Sequence, residues 1–522
     1  MKKQKVYISF FGLLAFILFL RLFNLATTPL SMHIDEAGLG LNAWSIANFG
    51  TDRYGNFLPV CPINFYGEQS AFYTYFCALL VKLFGLHIYT LRLPGVIMGV
   101  VAVVFGSLIL KEKWGNKGLF TGMILMGIFP YFIMNSRFAL DCNAMLGALS
   151  VALYCLVRLL KKTEREPERK FYGLFTLTGF LFGVVLYTYI IAAIVVALFC
   201  ILFGLYYLFH KRENRLLRLR QLTFMALPLI IMIIPLGLVV CVNYFGMEPI
   251  VTPLFSIPRM AVNRTEEVAL SVTDLPLKLK GIFHTLTTDG MYGSLPGHFT
   301  MYALSIPFVA VGGIFSVADA IKTRKQQKLS IDACVLFITF AEGIMFLLCG
   351  RYNYHINGIF VALAYFCISG ILRITEWIKQ PKMRMAYGTL LFCLYTISFV
   401  CFYRDYYLAT PSTVYQVYGG VDEALSLLPD TQRDKEIYVL DEVGEFYFLS
   451  NPVSPDEFSA TCNELGYLQD FGNLHFYPPE SYKEDFAYIC TKSSGIFKTL
   501  SESTGYDYTV LETDHYYLFF SK

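Results

Sequence analysis

The chain contains a series of continuous apolar runs, each long enough to cross a lipid bilayer as a helix. The first extends from Val6 to Ala26, and others follow at intervals as far as Phe402. A bilayer core about 30 Å thick requires about 20 apolar residues in a helix, and only helices or closed barrels satisfy the backbone hydrogen bonds there. Because the runs are continuous, they predict helices rather than barrel strands.

The placement of these runs predicts a mainly α, polytopic membrane protein with about 11 transmembrane helices. Composition agrees, since 56% of the residues are hydrophobic and only 16% are charged, whereas soluble domains are about a quarter charged. The net charge of +3 is too small to indicate a nucleic-acid partner. The expected spans are 6–26, 91–110, 118–135, 143–160, 173–190, 192–209, 224–242, 302–320, 331–349, 356–374 and 387–402.

The distribution of lysine and arginine predicts the orientation. More than half of the 42 basic residues fall in six short segments, at the N-terminus and in alternate connections between spans. Segments rich in lysine and arginine remain cytoplasmic. We therefore expect a multi-pass plasma-membrane protein with its N-terminus in the cytoplasm and its C-terminus outside.

The same reading gives the domain organisation. Residues 1–404 are expected to form the transmembrane domain, with long outer loops at 27–90 and 243–301. Composition then changes, and residues 405–522 are expected to form a small extracytoplasmic α/β domain. In this domain we expect strands at 436–440, 445–449, 485–491 and 516–520. We expect helices at 417–428 and 456–465.

The first outer loop contains the densest group of polar residues. The acids Asp35 and Glu36 follow the first span directly, and an apolar pattern after them predicts a helix in the membrane interface. The turn-forming stretch Gly50-Thr-Asp-Arg-Tyr-Gly55 comes next, and a second amphipathic helix is expected over 70–86, opened by Glu68.

Each of these acids has a structural interpretation beside a chemical one. Asp35 could be a helix N-cap that accepts a backbone N–H, and capping would not exclude catalysis. Asp141, in the second outer loop, could cap the fourth span in the same way. Glu68 could be a solvated helix start, and Glu36 could hold the local helix rather than react.

These motifs resemble those of the GT-C superfamily of membrane glycosyltransferases, and most closely the bacterial relatives of the protein O-mannosyltransferases and of the lipid A aminoarabinose transferase. The likeness rests on the Asp35-Glu36 pair, the Gly50–Gly55 turn, Arg92-Leu-Pro94 and Ser136-Arg-Phe-Ala-Leu-Asp141. Relatives often carry a Pro-Pro-Leu-like stretch before the second outer helix, where this chain has Gly67-Glu-Gln-Ser-Ala-Phe72. That departure leaves the class of acceptor open.

The resemblance implies sugar transfer from a polyprenyl-phosphate sugar to an envelope glycan, lipid or protein on the outer face, with inversion at the anomeric carbon of the sugar. Asp35 would be the general base, and Asp141 and Glu68 are the other candidate catalytic acids. No cofactor is certain. If a divalent metal takes part, Asp35 and Asp141 are its expected ligands.

The leaving phosphate requires cations or hydrogen-bond donors, and the outer segments offer few. Each candidate could instead be a surface or headgroup contact. The best candidate is Arg351, at the outer end of a span and within Arg351-Tyr-Asn-Tyr-His-Ile-Asn357. The expected substrate-binding residues are Glu36, Arg137, His284, His298, Arg351 and Asn353.

A transporter or flippase for a polyprenyl-linked sugar is the alternative from another class. It would require charged residues in the middle of spans, and only Glu342, with Asp319 near an inner end, answers that description. A catalytically inactive scaffold is a third reading, which the presence of both Asp35 and Asp141 disfavours.

Overall fold

The computed structural model describes residues 2–29, 32–65, 67–210, 214–262, 274–288, 295–349, 352–409, 420–441, 443–503 and 505–521. The helices, numbered in chain order, are α1 (Lys2–Leu22), α2 (Ile34–Phe49), α3 (Ala71–Phe84), α4 (Ile88–Ile128), α5 (Pro130–Met134), α6 (Met145–Arg165), α7 (Tyr172–Thr188), α8 (Ala192–Phe209), α9 (Arg215–Asn243), α10 (Leu275–Thr287), α11 (Ile306–Lys325), α12 (Ile331–Cys349), α13 (Ile359–Trp377), α14 (Pro381–Tyr403), α15 (Val421–Ser426), α16 (Gly444–Ser450), α17 (Pro455–Ala460) and α18 (Ile496–Lys498). The strands are β1 (Ile63–Asn64), β2 (Gly67–Glu68), β3 (Ile250–Val251), β4 (Ser256–Ile257), β5 (Ile437–Val439), β6 (Asp470–Phe471), β7 (Leu474–His475), β8 (Ala487–Thr491), β9 (Tyr508–Glu512) and β10 (Tyr516–Ser521).

The chain divides into two units. Residues 1–28, 92–238 and 265–414 form one, called here the helical unit. Residues 29–91, 239–264 and 415–522 form the other, called here the mixed unit. The first outer loop and part of the second thus group with the tail. The domain boundary expected at residue 404 stays a prediction.

The longest helix, α4, contains a reversal of chain direction. Gly115 has φ 63° and ψ −148°, values outside the helical region. Residues on either side face each other in antiparallel order: a side chain at Gly106 would collide with Met126, and one at Gly122 with Ser107. Only glycine adopts the backbone conformation of residue 115 without strain, so α4 is a helical hairpin of two antiparallel arms.

Among the described residues, nine helices are long and apolar enough to span a membrane. The α4 hairpin is one of these nine, and the 17-residue helix α7 is a shorter apolar helix outside them. The polytopic, mainly helical architecture is therefore confirmed. The count of eleven spans depends on counting both arms of α4 and on including α7, and it stays a prediction.

The tail contains a six-stranded sheet in the order β6-β7-β5-β8-β10-β9. Strands β5, β7 and β8 are parallel to one another, and the remaining pairs are antiparallel. The strands expected at 436–440, 485–491 and 516–520 are confirmed. The strand expected at 445–449 is wrong, because this segment is helix α16, which buries Phe446 and Phe448. A short apolar run does not distinguish a strand from a buried helix.

Helix α2 contacts α3 and α16, all within the mixed unit. Residues Glu36 to Ala43 of α2 are buried without interruption. The burial of α2 thus extends beyond the apolar positions that the sequence pattern marked. Helix α3 does have the expected exposed apolar face, formed by Leu79, Leu83 and Phe84.

Candidate active site

The first turn of α2 is held by a capping box. The Nδ1 atom of His33, the N-cap residue, accepts the backbone N–H of Asp35 at 3.1 Å. The carboxylate of Glu36 accepts the backbone N–H of His33 at 3.0 Å. Two N–H groups that have no partner within the helix are satisfied in this way. Glu36 is fully buried. Its position suits a role in holding the start of α2, which is one of the two interpretations that the sequence allows.

Asp35 is not the N-cap, so the capping interpretation of this residue is wrong. It is the second residue of α2, and 36% of its side chain is exposed. The carboxylate lies 3.4 Å from His33 Nδ1. That nitrogen accepts the Asp35 backbone N–H. The Asp35 carboxylate takes no part in the cap, and it lies at the positive end of the helix dipole.

The turn at Gly50–Gly55 is organised by Asp52. This buried carboxylate accepts the backbone N–H groups of Tyr54 and Asn56, both at 3.0 Å, and the side-chain amide of Asn56 at 3.1 Å. Burial raises the pKa of Asp52, and these hydrogen bonds oppose the rise. Ser45 of α2 donates to the Asp52 carbonyl at 3.0 Å. Asp52 therefore fixes the turn against α2.

Glu68 does not open the second outer helix, so that expected position is wrong. It lies in β2, paired with Ile63 of β1, while α3 begins at Ala71 with Ser70 as its N-cap residue. The Glu68 side chain is buried, and its Oε2 atom makes no hydrogen bond within the described part of the chain. A buried carboxylate oxygen without a partner is costly.

Two further buried polar side chains of the mixed unit were not found from the sequence. Arg53 Nε and Nη1, and both polar atoms of the Asn64 amide, also make no hydrogen bond within the described ranges. Both side chains lie against Gly38, where a Cβ atom would collide with them. Gly38 is three residues after Asp35, so this polar cluster is on the same face of α2. The sequence does not indicate that Arg53 is buried, because an arginine in a turn motif is usually exposed.

In the helical unit, Arg137 is fully buried and its donors are engaged. It donates five hydrogen bonds of 2.7–3.1 Å to the carbonyl oxygens of Leu20, Arg21, Phe23 and Thr28. The guanidinium group holds the end of α1, so none of these N–H donors is left for a substrate phosphate.

Asp141 begins a short 3₁₀ turn, Asp141–Ala144, before α6. It is buried, and its Oδ1 accepts the Cys142 backbone N–H at 2.7 Å. The residue at the N-cap of α6 is Ala144, so Asp141 does not cap that helix directly. Its role as a second catalytic acid stays a prediction.

The loop that carries Asp141 is tied to the segment before α13 by an amide network that the sequence did not reveal. Asn135 donates to Asn143 at 2.8 Å and to Asn357 at 3.2 Å. Asn357 in turn donates to the Cys142 carbonyl at 2.9 Å. These amides hold the loop in one conformation.

The remaining candidates have diverse environments. Arg351 lies outside the described residues. Asn353 is buried, and His284, on α10, is exposed. His298 Nε2 lies 2.8 Å from the Asp405 carboxylate, within hydrogen-bond distance. Among the described residues, no three His, Cys, Asp or Glu side chains come together in a way that could hold a metal ion.

Comparisons with known proteins were made for the sequence and for the fold. A family profile described as dolichyl-phosphate-mannose-protein mannosyltransferase matches residues 68–238. A search of curated protein sequences finds no match.

Among solved structures, ArnT from Cupriavidus metallidurans bound to undecaprenyl phosphate is similar over 99% of this chain and 98% of its own, with 12% identity and a TM-score of 0.57. The oligosaccharyltransferase AglB from Archaeoglobus fulgidus, in complex with an inhibitory peptide and a dolichol-phosphate, is similar over 86% of this chain and 64% of its own, with 13% identity and a TM-score of 0.51. Both neighbours are GT-C glycosyltransferases. The GT-C fold inferred from the sequence motifs is confirmed.

Proposed function

We propose that this protein is a glycosyltransferase that moves a sugar from a polyprenyl-phosphate donor to an envelope acceptor, with Asp35 as the general base. The observation that carries the proposal is the half-exposed Asp35 carboxylate. It is the second residue of a helix whose capping hydrogen bonds are supplied by His33 and Glu36. The start of the helix is therefore fixed without the use of the Asp35 carboxylate.

The reaction is a substitution at the anomeric carbon of the sugar. The acceptor hydroxyl oxygen forms a bond to C1 while the bond between C1 and the phosphate oxygen breaks. The hydroxyl proton passes to the Asp35 carboxylate, and the electron pair of the broken bond leaves with the polyprenyl phosphate. A free hydroxyl is a weak nucleophile, so a positioned base lowers the barrier. Attack opposite the leaving phosphate inverts the configuration at C1.

The likeness to the undecaprenyl-phosphate and dolichol-phosphate complexes supports a polyprenyl donor. Its lipid tail remains in the bilayer and its sugar phosphate must reach polar residues at the surface. We place that surface on the extracytoplasmic side, because the basic connections predict a cytoplasmic N-terminus. The acceptor is a glycan, a lipid or a protein of the envelope.

The transporter alternative is favoured by one feature, the fully buried Glu342 in the middle of α12, whose carboxylate lies against Gly358. Asp319 on α11 and Asp332 on α12 are both paired with a cation. Lys113 donates to Asp319 at 3.0 Å and to Asp332 at 2.6 Å. One buried intramembrane acid is a weak basis for a transport pathway.

The test uses purified protein in vesicles and a panel of labelled polyprenyl-phosphate hexoses and pentoses. A glycosyltransferase releases polyprenyl phosphate and forms a new glycosidic bond, which mass spectrometry detects on an added envelope extract. Movement of labelled lipid between leaflets without a new bond would overturn the proposal in favour of the transporter. Mass spectrometry of envelope glycans from a deletion strain identifies the missing sugar.

A further inference from the structure

The mixed unit carries an exposed apolar hairpin next to the end of a membrane-spanning helix. Strands β3 and β4 pair in the register Ile250–Ile257 and Val251–Ser256, and Pro253 and Leu254 lie at the tip. The exposed fraction is 79% for Val251 and 77% for Leu254. Contiguous exposed apolar surface marks sites of interaction with proteins or membranes.

The tip is rigid, because Thr252 closes the turn with its side chain. The Thr252 hydroxyl accepts the backbone N–H groups of Leu254, at 3.3 Å, and Phe255, at 2.9 Å, and donates to the Phe255 carbonyl at 2.7 Å. Proline at the first central position of the turn fixes its φ angle. The apolar tip is therefore presented in one conformation, and little ordering entropy remains to oppose its binding.

The base of the hairpin is hydrogen-bonded to the last residue of α9, Asn243. The Asn243 side chain accepts the Met260 backbone N–H at 2.8 Å and donates to the Pro258 carbonyl at 3.2 Å. Arg259 donates to the carbonyl oxygens of Gly246, at 3.3 Å, and Met247, at 2.8 Å. Both ends of the hairpin are thus joined to the end of a candidate membrane span, Arg215–Asn243.

The composition of this segment indicates which occupant covers the tip. Residues 244–258 contain a single charged side chain, Glu248. The pair Tyr244 and Phe245, directly after α9, is exposed, and aromatic residues are enriched where a span meets the membrane interface. A protein-binding surface is usually bordered by polar and charged residues, whereas Glu248 is the one charged residue between the end of the span and the tip.

We propose that the β3–β4 hairpin inserts its tip, Val251 to Leu254, into the interfacial region of the bilayer. The end of a membrane span necessarily lies next to the bilayer surface, and that surface offers an apolar environment to the exposed tip. Arg259, exposed at the base, would then face the phosphate level of the lipid headgroups. The hairpin anchors this part of the mixed unit to the lipid in which a polyprenyl substrate would be dissolved. The proposal does not depend on the enzymatic activity.

The test places a tryptophan at the tip, as Leu254→Trp, in the full chain reconstituted into lipid nanodiscs. Emission is measured with lipids brominated near the headgroup end of the acyl chain, and with aqueous iodide. The unsubstituted protein supplies the background from its three native tryptophans. The matched control is Val510→Trp, at an exposed apolar position of β9 in the tail.

The expected result is a blue-shifted added emission that loses a large part of its intensity in brominated lipid and is protected from iodide. The control should be quenched by iodide alone. Quenching of the tip tryptophan by iodide alone would place the hairpin in water and overturn the proposal. Protection from both quenchers would indicate a protein occupant, either a second copy or another chain, and would overturn it equally. Val251→Trp gives the same readout if the first variant does not fold.

Discussion

The Nδ1 atom of His33 accepts the backbone N–H of Asp35 at 3.1 Å. Histidine, rather than the neighbouring aspartate, thus supplies the capping hydrogen bond of α2. The consequence is a division of roles between adjacent residues. The cap of the helix start involves His33 and not the Asp35 carboxylate, so a structural role of His33 and the proposed chemical role of Asp35 can be separated by substitution.

Asp35→Asn and Asp35→Ala should both lose transfer activity in a folded protein. Neither an amide nor a methyl group accepts the acceptor's proton, and loss of a general base typically reduces the rate about 10²–10⁴-fold. Because Asp35 is not the N-cap, the two variants should lose only its interaction with the helix dipole, about 0.3–1 kcal/mol, and should unfold close to the temperature of the native protein. Turnover of a polyprenyl-phosphate sugar and thermal unfolding in detergent measure the two effects.

The chain offers a matched control for these variants. Asp456 is also the second residue of a helix, α17, which has a capping box formed by Ser454 and Glu457. Asp456→Asn removes an exposed acid from the equivalent helical position and should leave turnover unchanged. Native turnover in purified Asp35→Asn would remove Asp35 from the mechanism and bring Asp141 or Glu68 forward.

His33→Ala should lower stability, because the Asp35 backbone N–H loses its acceptor. Loss of an N-cap costs about 0.5–2 kcal/mol of folding free energy. His33→Asn should restore most of that loss, since asparagine is a good N-cap residue. Thermal unfolding of the three proteins measures the effect. Equal melting of His33→Ala and native protein would show that the cap contributes nothing.

Arg351→Ala should raise the KM for the donor, since the sequence predicts that this residue is one of few outer cations and follows the outer end of a span. Lysine should restore donor use only in part, because it lacks the planar fork that binds phosphate oxygens in pairs. Arg433→Ala, at a half-exposed cation of the tail, controls for the loss of positive charge. An unchanged donor KM in both Arg351 variants would dismiss the role.

The topology is tested with a reporter that is active only in the cytoplasm. A fusion at Lys522 should be inactive, because the distribution of basic residues predicts that the C-terminus is outside. A fusion after Lys325, at the basic end of α11, should be active and serves as the positive control. The reverse pattern would invert the orientation and place Asp35 on the cytoplasmic side.

The sequence was informative where a local pattern decides the structure. Continuous apolar runs predicted the helices, and glycine at 115, between two such runs, lies where the chain reverses. Prediction failed where a distant contact decides. Arg137 resembles a free outer cation in the sequence, but it binds carbonyl oxygens more than 100 residues away. Glu68 precedes a helix by only three residues, yet pairing with Ile63 makes it part of a strand.

The tail should show a pH-dependent stability that originates at His475. Its Nδ1 lies 2.5 Å from the Asp470 carboxylate, and its Nε2 contacts the Glu436 carboxylate. Both ring nitrogens can donate only when the imidazole is protonated. Burial lowers the pKa of His475, but the hydrogen bonds and charges of Asp470 and Glu436 outweigh that effect, so the pKa is raised.

The sign of the effect follows from this direction. In the unfolded chain a histidine has a pKa of about 6.5, below that of folded His475. The stabilisation is therefore complete below about pH 6.5 and is lost as the pH rises through the higher folded pKa. Hydrogen exchange of the β6–β7 segment, corrected for the intrinsic rate at each pH, should show weaker protection on the alkaline side. His475→Gln should remove this dependence, while His515→Gln should retain it. A pH profile that is the same in the native and His475→Gln proteins would exclude the imidazolium as its source.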